Sequence, residues 1–419
     1  MGKELDVEDS GELQGAGRMS WTPQRLNQLG YLSRGRSRHR PRDASHLYDG
    51  PYPFIQTGDV KHAGLYINDY QQTYSEAGLE QSRLWPAGTL CITIAANIAD
   101  TAILGVDACF PDSVIGFIPD EEKADARFVK YLFDATIQRR VQQFTQGAAQ
   151  DNLSQEKLLS IEFVVPKVNE QKRIADILSA YDDLIENNRR RMALLEDAAR
   201  QLYREWFVRL RFPGHEHTRI TNGVPEGWSS GTIADFFDTT SGGTPSRSNP
   251  DFYTGEINWV KTQELNDDFI FETEEKITDD ALARSSTKLF PANTLLVSIY
   301  GGTNIGRTGV LAKPAATNQA CCALFPRDSR THFIFGALYF RDQREHLIAL
   351  AQGAAQTNIS QQVIRALPMR VATPSLMLAF TESILPAFEQ MKTLKRQNQK
   401  LRAARDLLLP RLMSGEIAL

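Results

Sequence analysis

Two stretches of the chain place their seam residues in steps that alternate between four and three. The first follows Pro166 and runs Ile174, Leu178, Tyr181, Ile185, Asn188, Met192, Leu195, Ala199, Leu202, Trp206. The second follows Pro374 and runs Phe380, Ile384, Ala387, Met391, Leu394, Asn398, Leu401, Arg405, Leu408, Leu412. That spacing is a heptad seam and predicts two long helices that can pack together. Pro386 lacks a backbone donor and is expected to kink the second helix or to mark where its regular part begins. Outside these stretches the pattern shortens to β-branched and aromatic runs bounded by Gly, Pro and Asn. Strands are predicted at Thr89–Ile94, Val114–Ile118, Ile161–Val165, Leu295–Tyr300, Ala320–Phe325 and Leu367–Val371. Helical stretches are expected at about 125–144 and 331–351.

These elements fall in the same order twice because the chain repeats itself. Gln146-Gly-Ala-Ala-Gln150-Asp-Asn152-Leu-Ser154-Gln155 recurs as Gln352-Gly-Ala-Ala-Gln356-Thr-Asn358-Ile-Ser360-Gln361, eight identities in ten at an offset of 206. Leu84-Trp-Pro86-Ala-Gly-Thr89-Leu90 recurs as Leu289-Phe-Pro291-Ala-Asn-Thr294-Leu295, and Phe54-Ile-Gln-Thr57 matches Trp259-Val-Lys-Thr262, both at an offset of 205. Three blocks in one order at nearly one offset indicate a tandem duplication. Each half reads as an α+β domain that ends in a long polar helix.

The first globular region precedes Ile174 and the second lies between Trp206 and Phe380. Antiparallel pairing of the helices therefore gives a pseudo-twofold arrangement with the two domains at opposite ends of one rod. One register sets Ile174 opposite Leu412, Ile185 opposite Leu401 and Trp206 opposite Phe380. It also sets Asn188 opposite Asn398, the only amides in either seam. A buried amide pair satisfied in one register and stranded in every other specifies alignment. Tyr181 is expected to stack on Arg405. From Ile174 to Trp206 the rod is about 48 Å long, roughly one to one and a half turns of B-DNA.

Composition narrows the function. The 419 residues carry 47 basic and 51 acidic side chains, a formal charge of −4, with 42% hydrophobic and 23% charged residues, which suits a folded multidomain protein. No apolar run reaches membrane-spanning length, no signal-peptide pattern opens the chain, and the four cysteines show no C-x-x-C spacing. A cytoplasmic protein without disulfides or zinc is expected. Residues 1–18 read as a disordered acidic extension, with Met19 as an alternative start. Arg18, Arg25, Arg34, Arg36, Arg38, Arg40 and Arg42 then occur before the next acid, Asp43. That run suits either a polyanion surface or a solvated basic loop.

Three strings mimic catalytic motifs. Gly301-Gly-Thr-Asn-Ile-Gly306-Arg307-Thr308 resembles a phosphate loop with arginine in place of the lysine, and a glycine turn between strands explains it as well. Pro250-Asp251 with Glu274-Glu-Lys276 fits the loose pattern of Mg²⁺-dependent nucleases, making Asp251, Glu274 and Lys276 the candidates for an alternative, nucleolytic reading. Ser248-Asn249-Pro250-Asp251-Phe252 lacks the second proline of a base-holding methyltransferase motif. His215-Glu-His217 lies in a Pro/Gly linker and is not a metal motif. What remains is recognition, with Arg34, Arg36, Arg38, Arg40, Lys61, Arg247 and Lys261 as candidate DNA contacts. A coiled-coil scaffold that binds protein is a further reading.

The C-terminal string Arg405-Asp-Leu-Leu-Leu-Pro410-Arg-Leu-Met-Ser414-Gly-Glu-Ile417 resembles the end of the DNA-specificity subunit of type I restriction–modification systems. Glu170-Gln-Lys-Arg-Ile-Ala175, Leu202-Tyr-Arg-Glu-Trp206-Phe207 and Ser241-Gly-Gly-Thr-Pro-Ser246 are similar to other parts of that family. In the first domain Ser33-Arg-Gly-Arg-Ser-Arg38 replaces the usual Gly-x-Thr-Pro string. The resemblance implies a non-catalytic DNA-binding subunit with two target-recognition domains, 19–166 and 227–373. Between and after them it implies a spacer helix at 167–211, a linker at 212–226, and a second spacer helix with its tail at 374–415. Each domain would read one half of a split, asymmetric site. The spacers would dock two methyltransferase subunits, with motor-nuclease subunits joining for restriction. S-adenosylmethionine, ATP and Mg²⁺ are then expected on those partners, with no cofactor on this chain.

Overall fold

A computed structural model describes residues 21–95, 98–138, 155–352, 358–417 and 419. The acidic extension, Arg18, Met19, the whole Gln146–Gln150 loop and most of its counterpart at 352–356 lie outside the described residues. The chain divides into two units, one of residues 1–187 with 398–419 and one of residues 188–397.

The first unit is built on strands β1 (Gly30–Arg34), β2 (Tyr66–Ile67), β3 (Leu90–Thr93), β4 (Thr101–Leu104) and β5 (Val114–Pro119), in the order β1-β5-β3-β4-β2. Period-two alternation buries both faces of this sheet. Leu90, Ile92, Ile103, Ile115 and Phe117 face one core, while Cys91, Ala102, Leu104 and Val114 face another with Trp85 and Phe110. Helix α1 (Ala126–Phe133) packs on the first of these faces, its N-terminus capped by Asp125, which accepts from the amides of Arg127 (2.8 Å) and Phe128 (3.2 Å). The chain continues from it at Asp134–Gln138 as a π-helical turn. Helix α2 (Val168–Tyr203) begins in this unit, after the closing strand Glu162–Val165 pairs antiparallel with Thr22–Arg25.

The second unit repeats the plan. Strands β6 (Phe237–Ser241), β7 (Asp268–Ile270), β8 (Leu295–Ser298), β9 (Thr308–Leu311) and β10 (Cys321–Pro326) lie in the order β6-β10-β8-β9-β7, the first unit's order strand for strand. In both, only the two-to-three-residue edge strand runs parallel to its neighbour. The long helix expected over 331–351 is broken at Gln343 into α3 (Phe333–Asp342) and a helix Arg344–Gln352, and Arg341 and Arg344 both reach Asp267. The unit's final helix, α4 (Pro374–Met413), runs through Pro386 as one 40-residue element, so its regular part does not begin at the proline.

Each unit holds part of both long helices, and in each the parts run antiparallel. In the first, Ile174 and Leu178 share a core with Leu412 and Met413, while nearer the other end the Asn398 amide donates to the Ile185 carbonyl at 3.2 Å. In the second, the Trp206 ring lies 5.5 Å from Phe380, the pairing the heptad pattern predicts, and Tyr203, Phe207 and Phe335 close around Phe380. The expected Tyr181–Arg405 stack is replaced. Arg405 pairs with Asp182, beside the seam, and with Asp406 at 2.8 Å, because carboxylates satisfy a guanidinium more fully than a ring face does. Asp182 also accepts from the buried Tyr131 hydroxyl at 2.5 Å, so one carboxylate ties α1, α2 and α4 together.

Phe380 is fully buried. Phe380→Ala is expected to lower the stability of the second unit by about 3–5 kcal/mol, measured by chemical denaturation followed by tryptophan fluorescence, to which Trp206 beside Phe380 contributes.

Candidate nucleic-acid interface

The arginine run leaves the end of β1 as extended chain. Arg34, Arg36, Arg38 and Arg40 are exposed while Gly35 and Ser37 between them are buried, the alternation that an extended backbone imposes. The backbone is fastened along its length. Gly35 donates to Val114 O (2.9 Å) and Arg36 to Phe110 O (3.1 Å), and the Gln81 side-chain Oε1 accepts from the amides of Arg38 (2.6 Å) and His39 (3.0 Å). Among the described residues Arg34, Arg36, Arg38 and Arg40 form no ion pair, although Arg40 donates to the carbonyls of Ser37 and His39 at 2.8 Å. Two other members of the run are spent on structure, Arg25 on Glu162 (3.0 Å) and Arg42 on Asp112 (2.9 Å). Lys61 is exposed in the last turn of the helix Thr57–His62.

The second opening has the same backbone and different chemistry. Gly243 donates to Thr317 O at 2.9 Å, as Arg36 does to Phe110 O. A Cβ on Gly242 would overlap the Thr317 carbonyl oxygen, and one on Gly35 the Phe110 carbonyl oxygen, so both openings need glycine at the crossing. A hydroxyl latches each segment from behind: Ser82 Oγ donates to Arg36 O (2.9 Å), and Thr287 Oγ1 to Gly243 O (3.0 Å). The departure of Ser33–Arg38 from the Gly-x-Thr-Pro string therefore changes the side chains presented and leaves the backbone path in place.

The second unit's candidate cations are partnered. Arg247 stacks over Tyr253 at 4.1 Å and pairs with Glu275 at 2.6 Å. Lys261, only 15% exposed, contacts Glu275 (2.8 Å) and Glu274 (3.0 Å). The Glu275 hydrogen bond raises the Lys261 ammonium above its ordinary value, and Arg247 with Lys261 holds the Glu275 carboxyl below its own. In the first unit the matching position is Gln56, whose amide bonds Gln72. Both Gln56 and Lys261 also donate their own amide, at 2.7 Å, to an acid three residues on, Asp59 and Glu264. One cross-strand site thus carries an amide pair in one unit and an ion pair in the other. The glutamates were not legible as partners, because Glu275 meets Lys261 only through the pairing of strands Ile257–Val260 and Lys276–Ile277.

The catalytic mimics resolve into structure. Gly301, Gly302 and Gly306 take positive φ in a turn between antiparallel strands β8 and β9. Asn249 caps a 3-10 turn, Pro250–Tyr253, by accepting from the Asp251 amide at 3.3 Å. Lys276 pairs with Glu256 (3.2 Å) and Glu272 (3.6 Å), whereas Glu274 pairs with Lys261. His215 Nδ1 lies 2.8 Å from Phe212 O. Among the described residues no group of three or more His, Cys, Asp or Glu side chains could hold a metal ion, and no helix is long and apolar enough to cross a membrane. All four cysteines are free and buried.

The sequence profile of the type I restriction modification DNA specificity domain matches residues 20–197 and 225–376. The chain belongs to the type I specificity-subunit family. It is 22% identical to the type I restriction enzyme MjaIX specificity subunit of Methanocaldococcus jannaschii over 95% of this chain and 93% of that one. It is also 22% identical to the HindI specificity subunit of Haemophilus influenzae, over 90% of this chain and 97% of the relative. The crystal structure of the type I restriction–modification S subunit from M. genitalium shares the fold, with a TM-score of 0.60 at 14% identity over 96% of this chain and 98% of that one. As a specificity subunit the chain directs recognition of a DNA target, and it is the non-catalytic part of its restriction–modification complex.

The glycine crossings make a direct test of the shared opening. Gly242→Ala and Gly35→Ala should each destabilise their own unit by about 1–3 kcal/mol, read as a lowered midpoint in chemical denaturation, while Gly58→Ala, which meets nothing within 4 Å and lies in the helix Thr57–His62, should not lower it.

Proposed function

We propose that each unit reads one half of a split, asymmetric DNA target. The first would do so through Arg34, Arg36, Arg38, Arg40 and Lys61, the second through Arg247 and Lys261. The observation that carries this reading is the duplicated opening: one strand order, one glycine crossing and one hydroxyl latch, each present twice, presenting unlike side chains. Equivalent scaffolds with different chemistry suit two readers of the same kind with different sequences to read. The domain limits 19–166 and 227–373 and the spacers 167–211 and 374–415 are part of the proposal.

The long helices set the gap between half-sites in this reading, and Asn188 and Asn398 hold their register. Both amides are buried, at 2% and 3% exposure. Two modification subunits dock on the helices, whose outward leucines (Leu184 and Leu407 in the first unit, Leu194 and Leu378 in the second) are exposed. Motor-nuclease subunits join for restriction, and S-adenosylmethionine, ATP and Mg²⁺ are held by those partners.

Selection from a random duplex pool, using the chain assembled with its modification subunits, should retain two short unlike half-sites at one invariant gap. A single contiguous site would overturn the two-reader proposal. Lengthening each helix by one heptad should lengthen the gap, by roughly 10 Å at 1.5 Å per residue. Replacing Arg34, Arg36 and Arg38 together by alanine should flatten the dependence of log K on log salt by up to about 2.7, each phosphate left without its arginine accounting for about 0.9.

A further inference from the structure

The repeated block extends two residues further towards the N-terminus than its identities suggest. Ser82-Arg83-Leu84-Trp85-Pro86 matches Thr287-Lys288-Leu289-Phe290-Pro291 in kind: hydroxyl, cation, leucine, aromatic, proline. The hydroxyls are the two latches on the opening segments. The aromatics are buried, and each sits at an antiparallel β-bridge, Trp85 to Ala108 and Phe290 to Ala315. Between latch and aromatic, each cation reaches the edge strand of its own central sheet. Arg83 Nη1 donates to the Tyr31 hydroxyl on β1 at 2.8 Å, its guanidinium 4.1 Å over Trp85 and 5.0 Å from the Tyr31 ring. Lys288 Nζ donates to Thr240 Oγ1 on β6 at 2.8 Å. Among the described residues neither cation has a carboxylate partner.

We infer that Arg83 and Lys288 are equivalent phosphate contacts, one beside each opening segment, on the DNA that the two domains read. The inference rests on the DNA-reading assignment proposed above. A purely structural role does not account for both positions. Arg83 covers an indole, whereas among the described residues no ring lies beneath Lys288, so what the two share is a positive charge and its reach to the edge strand. The other candidate cations of the second unit, Arg247 and Lys261, are held by Glu274 and Glu275, which leaves Lys288 as a charge beside that opening with no acid paired to it among the described residues. Bases differ between unlike half-sites and so do the side chains of the two openings. The phosphate backbone is the same in both, and so is the charge at this position. Arg83, stacked and bonded in place, presents its remaining donors at little entropic cost, and Lys288 acts as a point charge.

The test uses the assembled complex and its selected target, with Lys288→Gln, Arg83→Gln and Arg83→Lys. Each glutamine variant should weaken binding equally on matched and mismatched duplexes and reduce the salt slope by about 0.9. Arg83→Lys should keep the slope. Lys288 is exposed and its ammonium bonds a single hydroxyl, so Lys288→Gln decides the question even if Arg83→Gln perturbs the packing around Trp85. Unchanged slopes in both glutamine variants, with the unaltered complex still selecting its target, would overturn the inference and leave the DNA-reading proposal standing. Relaxed preference at one base pair with an unchanged slope would also overturn it, by making the contact a base contact. Failure of the unaltered complex to select any duplex would instead overturn the reading beneath it.

Discussion

In the first unit, the sheet face that carries Leu90, Ile92, Ile115 and Phe117 shares its core with Ile174 and Leu178 from α2 and with Leu412 and Met413 from the far end of the chain. In the second, Trp206 and Phe207 in the π-helical turn Arg204–Val208 that follows α2 and Phe380, Ile384 and Phe388 from α4 join the face of Leu295, Val297 and Leu324. Each recognition sheet therefore depends on two helical segments that are distant in sequence, and hydrophobic burial between them is the constraint from which the rest follows. It requires the heptad seams and their antiparallel sense. It also brings ionic groups such as Asp182 and Arg405 into partly dry surroundings, where they must find each other.

On these matched frames the two units distribute charge differently. The first presents Arg34, Arg36 and Arg38 outward from a fastened backbone. The second keeps Arg247 and Lys261 in a network with Glu274 and Glu275. Cations already paired with acids lose part of that pairing when they meet phosphate, whereas exposed arginines lose only water and counterions. Under the two-reader proposal, the same scaffold would in this way supply grip in one half and selectivity in the other, with no change of backbone.

Much of this organisation could be read from the chain. The duplication, the strands around Leu90 and Leu295, the helices and the Trp206–Phe380 pairing all follow from periodicity and repeats, which are local signals. What escaped depends on contacts that no local pattern encodes. Asp182 displaced Tyr181 as the partner of Arg405 because one step off the seam still lies within reach of a long side chain. The neutralisation of Lys261 depends on a strand pairing that brings Glu275 alongside it. The latches at Ser82 and Thr287 sit where a hydroxyl beside a cation looks like any surface position, and only the backbone carbonyls they hold give them meaning.

The shared core also orders events at the ribosome. The first unit includes Leu412 and Met413, which emerge more than 200 residues after Leu178. At about 5–20 residues per second, that separation leaves the face they cover waiting for roughly 10 seconds or more. The second unit, whose segments all lie within residues 188–397, can close first. The end synthesised first is thus the last to finish folding, and nascent chains of this protein should engage chaperones through the apolar sheet face of their N-terminal half.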